Sequence, residues 1–213
     1  MPAAKPPDAL ATARDARRMS SLLEISQALS GTLNLRSAVQ RVLLILMRHH
    51  GVVRGMVTLL RDNELHVEAA EGFEDRAQGV RYRLGEGITG RVVQSGKPIV
   101  VPRVSKEPEL LNRAARRTES SRQELSFICV PIMLQRAAAG SLSVDLRFKA
   151  ERDYESSVKF FGIVSGMIAQ ALNVQRQVEE ERRRLLDENT HLKQELKERY
   201  VFSNIIGTSG PTR

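Results

Sequence analysis

The residues that could do chemistry are few, and most fail a test of spacing. Gly85-Glu-Gly-Ile-Thr-Gly90 matches the G-x-G-x-x-G pattern, whose glycines let a pyrophosphate approach a helix N-terminus. That fold also needs a parallel crossover and an acid about 20 residues on, at the end of the second strand. Pro98 to Val101 follows too short a helix for such a crossover, and Glu107 and Glu109 fall in a later segment. The glycines are therefore read as turn formers with positive φ. Gly90-Arg-Val-Val-Gln-Ser-Gly96-Lys97 has one residue too many between its glycines for a phosphate loop, and Pro98 stands where a magnesium-binding Ser or Thr is required.

His49 and His50 are adjacent, while His66 and His191 lie far away in sequence, so no pair has metal-ligand spacing on one face. The single cysteine, Cys129, sits in the apolar run Ser126-Phe-Ile-Cys-Val-Pro131 and reads as a buried structural thiol. Asp145, inside the alternating stretch Ser141-Leu-Ser-Val-Asp-Leu146, is the most suggestive acid. It faces either a cavity or, as the simpler expectation, solvent. No Ser-His-acid set and no paired carboxylates stand out, which ranks binding above catalysis.

These residues belong to a chain of 213 residues with 41% hydrophobic and 27% charged residues, enough for one core plus appendages. No apolar run approaches the ~18 residues of a membrane span, no secretory leader is apparent, and a lone cysteine suits a reducing compartment. A soluble cytoplasmic protein without a membrane partner is expected. The formal charge of +8 invites a nucleic-acid reading. However, the densest basic stretch, Arg103 to Arg122, is interrupted by Glu107, Glu109 and Glu119 and carries no interleaved aromatic residues.

Along the chain, residues 1–18 show no sustained period and are expected to form a disordered tail. Helical spacing follows in Leu22, Ile25, Ala28 and Leu29, and again from Val39 to Met47, with a break at Gly31 and Asn34. Val53 to Leu60 and Leu65 to Ala69 around Asp62-Asn63 read as a hairpin. Further strands are expected at Val80 to Leu84, Pro98 to Val101, Phe127 to Leu134 and Ser141 to Leu146, with short helices at Ile88 to Gln94 and Glu107 to Arg113. The fold class is α+β: a single central antiparallel sheet of about six strands with flanking helices.

From about Asp153 to Tyr200 the pattern is one long helix. Its first half is apolar enough to pack on the sheet. In its second half the column Val164, Ala171, Val178, Leu185, Leu192 is apolar, but the column Ile168, Gln175, Arg182, Asn189, Leu196 is mixed. That describes either a weak coiled coil of a homodimer, with Asn189 setting register, or a solvated linker helix.

The order of these segments resembles a GAF domain over residues 19–173, carried by Tyr82-Arg-Leu-Gly-Glu-Gly-Ile-Thr-Gly-Arg-Val92, Lys97-Pro-Ile-Val-Val-Pro102 and Phe127-Ile-Cys-Val-Pro-Ile132. Residues 174–199 are then a helical linker. Arg199-Tyr-Val-Phe-Ser-Asn-Ile-Ile-Gly-Thr-Ser209 is similar to the start of the AAA+ domain of sigma-54-dependent transcriptional activators, among them the activators of nitrogen-fixation genes. The resemblance implies that residues 200–213 begin a truncated AAA+ domain, in which Ile205, Ile206 and Gly207 lie beside the adenine of ATP. It also implies a regulatory fragment that is no enzyme itself, with ATP hydrolysis, contact with sigma-54 RNA polymerase and enhancer DNA binding residing elsewhere. The implied effector is a small molecule such as 2-oxoglutarate or a nitrogen-signalling protein. A dicarboxylate needs cations, and Arg81, Arg83 and Arg91 around the glycine string are candidates on charge, although ordinary surface arginines explain them equally well.

Overall fold

The structure, a computed structural model, describes residues 7–30, 34–73, 79–107 and 125–206, with side chains between 12 and 197 of those ranges. Its elements are α1 (Pro7–Ser30), α2 (Leu35–His50), β1 (Val52–Arg61), β2 (Glu64–Glu71), β3 (Arg81–Arg83), α3 (Gly87–Ser95), β4 (Ile99–Val101), a 3-10 turn (Val104–Lys106), β5 (Leu125–Leu134), β6 (Ala137–Arg147) and α4 (Tyr154–Ile206). The expected helix at Glu107 to Arg113 and most of the basic stretch after Glu107 lie outside the described residues.

The six strands form one sheet in the order β3-β2-β1-β6-β5-β4, and every pairing is antiparallel. No parallel crossover exists among these strands, so the glycine string cannot serve a dinucleotide-binding unit of the parallel kind. The sheet is built from hairpins because Asp62-Asn63 and Gln135, all with positive φ, close β1–β2 and β5–β6.

Helices cover one face. α2 starts where the Ser37 amide donates to Asn34 Oδ1 at 3.2 Å. It buries Leu35, Val39, Val42, Leu43 and Leu46, a helical stripe, against Val57, Leu59, Leu142, Val144 and Leu146 of the central strands. The first turns of α4 add Phe160, Phe161, Val164, Ile168 and Leu172 to the same core. A large-to-small change here, such as Leu46→Ala, costs about 2–5 kcal/mol.

Two expectations need correction. Helix α1 begins at Pro7, twelve residues before regular structure was expected. The side chains from Thr12 to Arg17 are exposed, so no apolar stripe announced the helix; alanine and arginine propensity, with proline at the first helical position, suffices. Second, the stretch Tyr154–Lys197 contains a window long and apolar enough to cross a membrane by length and composition alone. Phe160, Phe161, Val164, Ile168 and Leu172 of that stretch are, however, buried in the core, while Ile163 is exposed. Beyond Leu172 the chain forms a second unit, residues 173–213, in which α4 continues to Ile206. Val178, Leu185, Leu192 and Leu196 are exposed on it.

Candidate functional site

The other face of the sheet carries the chemistry. Because side chains alternate along a strand, the partners of the helix-facing Leu142 and Val144 are Ser141, Ser143 and Asp145, which point the opposite way. On β1 the same alternation presents Arg54, Met56 and Thr58, and on β5 it presents Phe127 and Cys129. α3 lies over this face, burying Ile88, Thr89, Val92 and Val93.

Two apolar clusters flank the center of this face. One joins Ile88 and Val92 to Val101, Leu125, Phe127 and Cys129; the other joins Val93 to Met56, Leu65 and Tyr82. Between them β6 contributes a polar row. The Thr58 and Ser141 hydroxyls hydrogen-bond at 2.8 Å, and Ser143 donates to the Met56 carbonyl at 3.3 Å. Ser141 and Thr89 both reach the Cys129 sulfur. At the far end Arg54 Nε donates to Asp145 Oδ2 at 2.9 Å, with the two side chains 13% and 1% exposed. The guanidinium also lies 6.0 Å from the center of the Phe73 ring.

Asp145 is therefore neither a solvent-facing acid nor an unengaged one: it is buried and ion-paired. A sheet face can bury a carboxylate only when a partner compensates its charge, and the neighbouring strand supplies Arg54 in register. Cys129 is buried, as its apolar surroundings suggest. Burial pushes its thiol up to about 12, against the opposing pull of the Ser141 and Thr89 hydrogen bonds. A thiol so held is no thiolate nucleophile near neutral pH.

The glycine string positions α3. Gly85 has φ of +79°, which bends the chain out of β3. At Gly90 a Cβ would come within 2.4 Å of the Arg83 carbonyl oxygen, so only glycine lets the helix pack against the strand end. Gly96 closes the helix as its C-cap, which accounts for the Gly96-Lys97 pair without any phosphate.

The three candidate arginines divide. Arg81 and Arg83 share the exposed side of β3 opposite the buried Tyr82, and Arg81 Nη1 lies 3.4 Å from a Glu64 carboxylate oxygen. Arg91 is half-buried on α3. Ile205 and Ile206 fall in the last turn of α4, where side chains are not described, and Gly207 lies outside the described residues. The polar row of Arg54, Thr58, Ser141 and Ser143 was missed by sequence reasoning. Its signal was present in the two-residue spacing of Arg54, Met56 and Thr58 and of Ser141, Ser143 and Asp145.

Known proteins share this fold. A family model described as GAF domain matches residues 34–172. Among curated proteins, the nitrogen fixation proteins VnfA and AnfA of Azotobacter vinelandii are 38% and 35% identical over 195 and 194 residues, each match covering 89% of this chain. The Nif-specific regulatory protein of Herbaspirillum seropedicae is 33% identical over 192 residues, again 89% of the chain. The matches cover 37%, 36% and 35% of those proteins, so the chain spans just over a third of their length. Among solved structures, the GAF domain of A. Aeolicus nlh2 in an inactive state superposes with a TM-score of 0.69 at 21% identity, covering 76% of this chain and 99% of that one. The free methionine-R-sulfoxide reductase of Neisseria meningitidis, with its substrate, gives a TM-score of 0.64 at 20% identity, covering 76% and 91%. At such identities these two structures establish the shared fold.

Proposed function

The chain belongs to the GAF-domain family and is homologous to regulators of nitrogen fixation, and on that premise we propose that it is the signal-sensing part of a sigma-54-dependent transcriptional activator. In this reading the GAF region, residues 34–172, acts as a regulatory domain. It reports its state to an AAA+ ATPase, and ATP hydrolysis, the contact with sigma-54 RNA polymerase and enhancer DNA binding belong to other parts of the protein. Ile205, Ile206 and Gly207 would stand at the adenine once that ATPase is present.

One observation carries the sensing role: the face under α3 holds a row of hydroxyls and an ion pair between two apolar clusters. That combination, apolar walls with a few placed polar groups, is what a small-molecule site requires. The effector is a small polar metabolite, with 2-oxoglutarate as the leading candidate and a nitrogen-signalling protein as the other. Arg54 is held by Asp145, so the carboxylates of such a ligand would be met by Arg91, or by Arg81 and Arg83 at the sheet edge. β6 ends at Arg147 and α4 starts at Tyr154, so a shift of the central strand reaches the long helix through six residues. The protein acts in the cytoplasm as a homodimer joined through the exposed column of α4.

The test is the thermal midpoint of the 213-residue chain with candidate metabolites. A ligand at 100 times its dissociation constant adds about 2.7 kcal/mol, which raises the midpoint by about 5–11 °C for a unit of this size. A rise with 2-oxoglutarate, reduced by Arg91→Ala, supports the reading. No rise with any metabolite, but one with a nitrogen-signalling protein, replaces it with a docking role.

A further inference from the structure

A second feature lies on the helical side of the sheet. The N-terminal half of α1, the end of α2 and the β6–α4 loop enclose a groove of about 600 Å³, floored by Leu146, Phe160 and Phe161. We infer that this groove is a binding site, separate from the face under α3, for a small phosphate-type oxyanion carrying two or more negative charges.

Charge is the first argument. Arg14, Arg17 and Arg18 project from one side of α1, being three and four residues apart, and Lys149 and Arg152 face them from the loop. Against these five cations stand Glu151 and Asp153, leaving a net charge of +3. Asp153 is already engaged, since its Oδ1 accepts from the Ser156 amide at 2.9 Å and caps α4. The carbonyl end of α2 offsets part of the excess, by about half a charge. Among the described residues Arg14, Arg17 and Lys149 hold no ion pair. A compact domain gains nothing from crowding cations on one another unless a counter-charge joins them.

The second argument is unspent donors. Arg18 is fixed, Nη1 donating to Ser156 Oγ at 2.6 Å with its guanidinium 5.5 Å from the center of the Phe160 ring. Arg152 Nη2 donates to the Arg147 carbonyl at 2.8 Å, but Arg152 Nε is covered and has no hydrogen-bond partner among the described residues. His50 stacks on Phe160 with ring centers 4.2 Å apart, and its Nε2 is likewise covered and without a partner there. Its neighbour His49 turns to Glu24 at 3.5 Å. Covered polar atoms without partners are costly, and both residues line the groove.

The His50 environment agrees with this. Burial, then the charges of Arg18, His49 and Arg17, lower its pKa to about 4, so the ring is neutral at pH 7 and can donate one N–H. An anion among the same groups removes the repulsion and raises that pKa. Volume excludes a simple halide as the intended occupant, because 600 Å³ is the size of a small-molecule site. The number of guanidinium donors suits the several terminal oxygens of a phosphate better than a single planar carboxylate.

The test titrates the 213-residue chain with inorganic pyrophosphate at constant ionic strength by calorimetry, following the His50 ring protons by NMR. Saturable binding is expected, weakened at least about tenfold in Arg14→Ala/Arg17→Ala, where both side chains are exposed and the fold is spared. Arg136→Ala, on the β5–β6 turn, leaves affinity unchanged. Saturation raises the His50 pKa by about one unit or more. Should the double variant fail to fold, Lys149→Gln takes its place with the same expectation. Absence of saturable heat, equal affinity in the α1 or Lys149 variant, an unmoved His50 pKa, or tighter binding of succinate than of pyrophosphate overturns the proposal.

Discussion

Asp145→Ala gives the sharpest reading of the face under α3. The variant removes a carboxylate that is 1% exposed and takes from Arg54, 13% exposed, the acid that faces it from β6. Breaking a buried pair from one side costs about 3–5 kcal/mol, chiefly because the surviving charge remains desolvated. For a unit of 150–250 residues each kcal/mol moves the midpoint by about 2–4 °C, so a fall of about 6–20 °C is expected. Asp145→Asn keeps the shape and one acceptor and should lose less. The double variant Arg54→Met/Asp145→Leu removes both charges and should recover most of the loss, since apolar replacement of a buried pair is often neutral. Urea unfolding of the wild type, Arg54→Met, Asp145→Leu and this double variant closes a cycle that yields the coupling energy. A loss under about 1 kcal/mol for Asp145→Ala, or single-variant losses that simply add in the double, would refute the claim that this pair is closed and buried.

Other consequences are open to measurement. His50 has a lowered pKa in the folded chain, so the unfolded state binds its proton first: stability is full above about pH 6.5 and is lost as pH falls toward 4. The lowering from 6.5 to about 4 corresponds to about 3 kcal/mol, reduced by solvent screening of this part-exposed ring to ~1–2, and His50→Leu should flatten that portion of a urea-based pH profile. Gly90→Ala brings a methyl against the Arg83 carbonyl and should cost ~2 kcal/mol or more, read by chemical denaturation, whereas an unchanged midpoint would contradict the close approach of α3 to β3. Cys129, with its thiol near 12, should resist alkylation at pH 8 until the chain unfolds. If the proposed homodimer forms through α4, Leu185→Glu/Leu192→Glu sediments as a monomer while the unfolding of residues 1–172 is unmoved, and an unchanged sedimentation coefficient contradicts that pairing.

Strand positions were legible because period-two alternation and turn residues are local signals. β1, β2, β5 and β6 each appear within a few residues of their expected places. The helix over residues 7–18 was not legible, because a segment of alanine and arginine has propensity but no apolar period to read. Asp145 was misplaced for a related reason. Strand alternation says which residues share a face, but only pairing with β1 reveals that Arg54 is there to compensate it. The groove could not be foreseen at all. It gathers α1, α2 and the β6–α4 loop across more than 130 residues, and no short-range pattern links Arg18 to Ser156.

The central claim is that the face beneath α3 receives the effector. Amide NMR of the labelled 213-residue chain during titration with 2-oxoglutarate tests it most directly. Saturable shifts at Thr58, Thr89, Ser141 and Ser143, spreading along β6 toward Tyr154, are the result predicted. Shifts confined to Arg14, His50 and Arg152, or no saturable shift with this or any other nitrogen- or carbon-status metabolite, would contradict it.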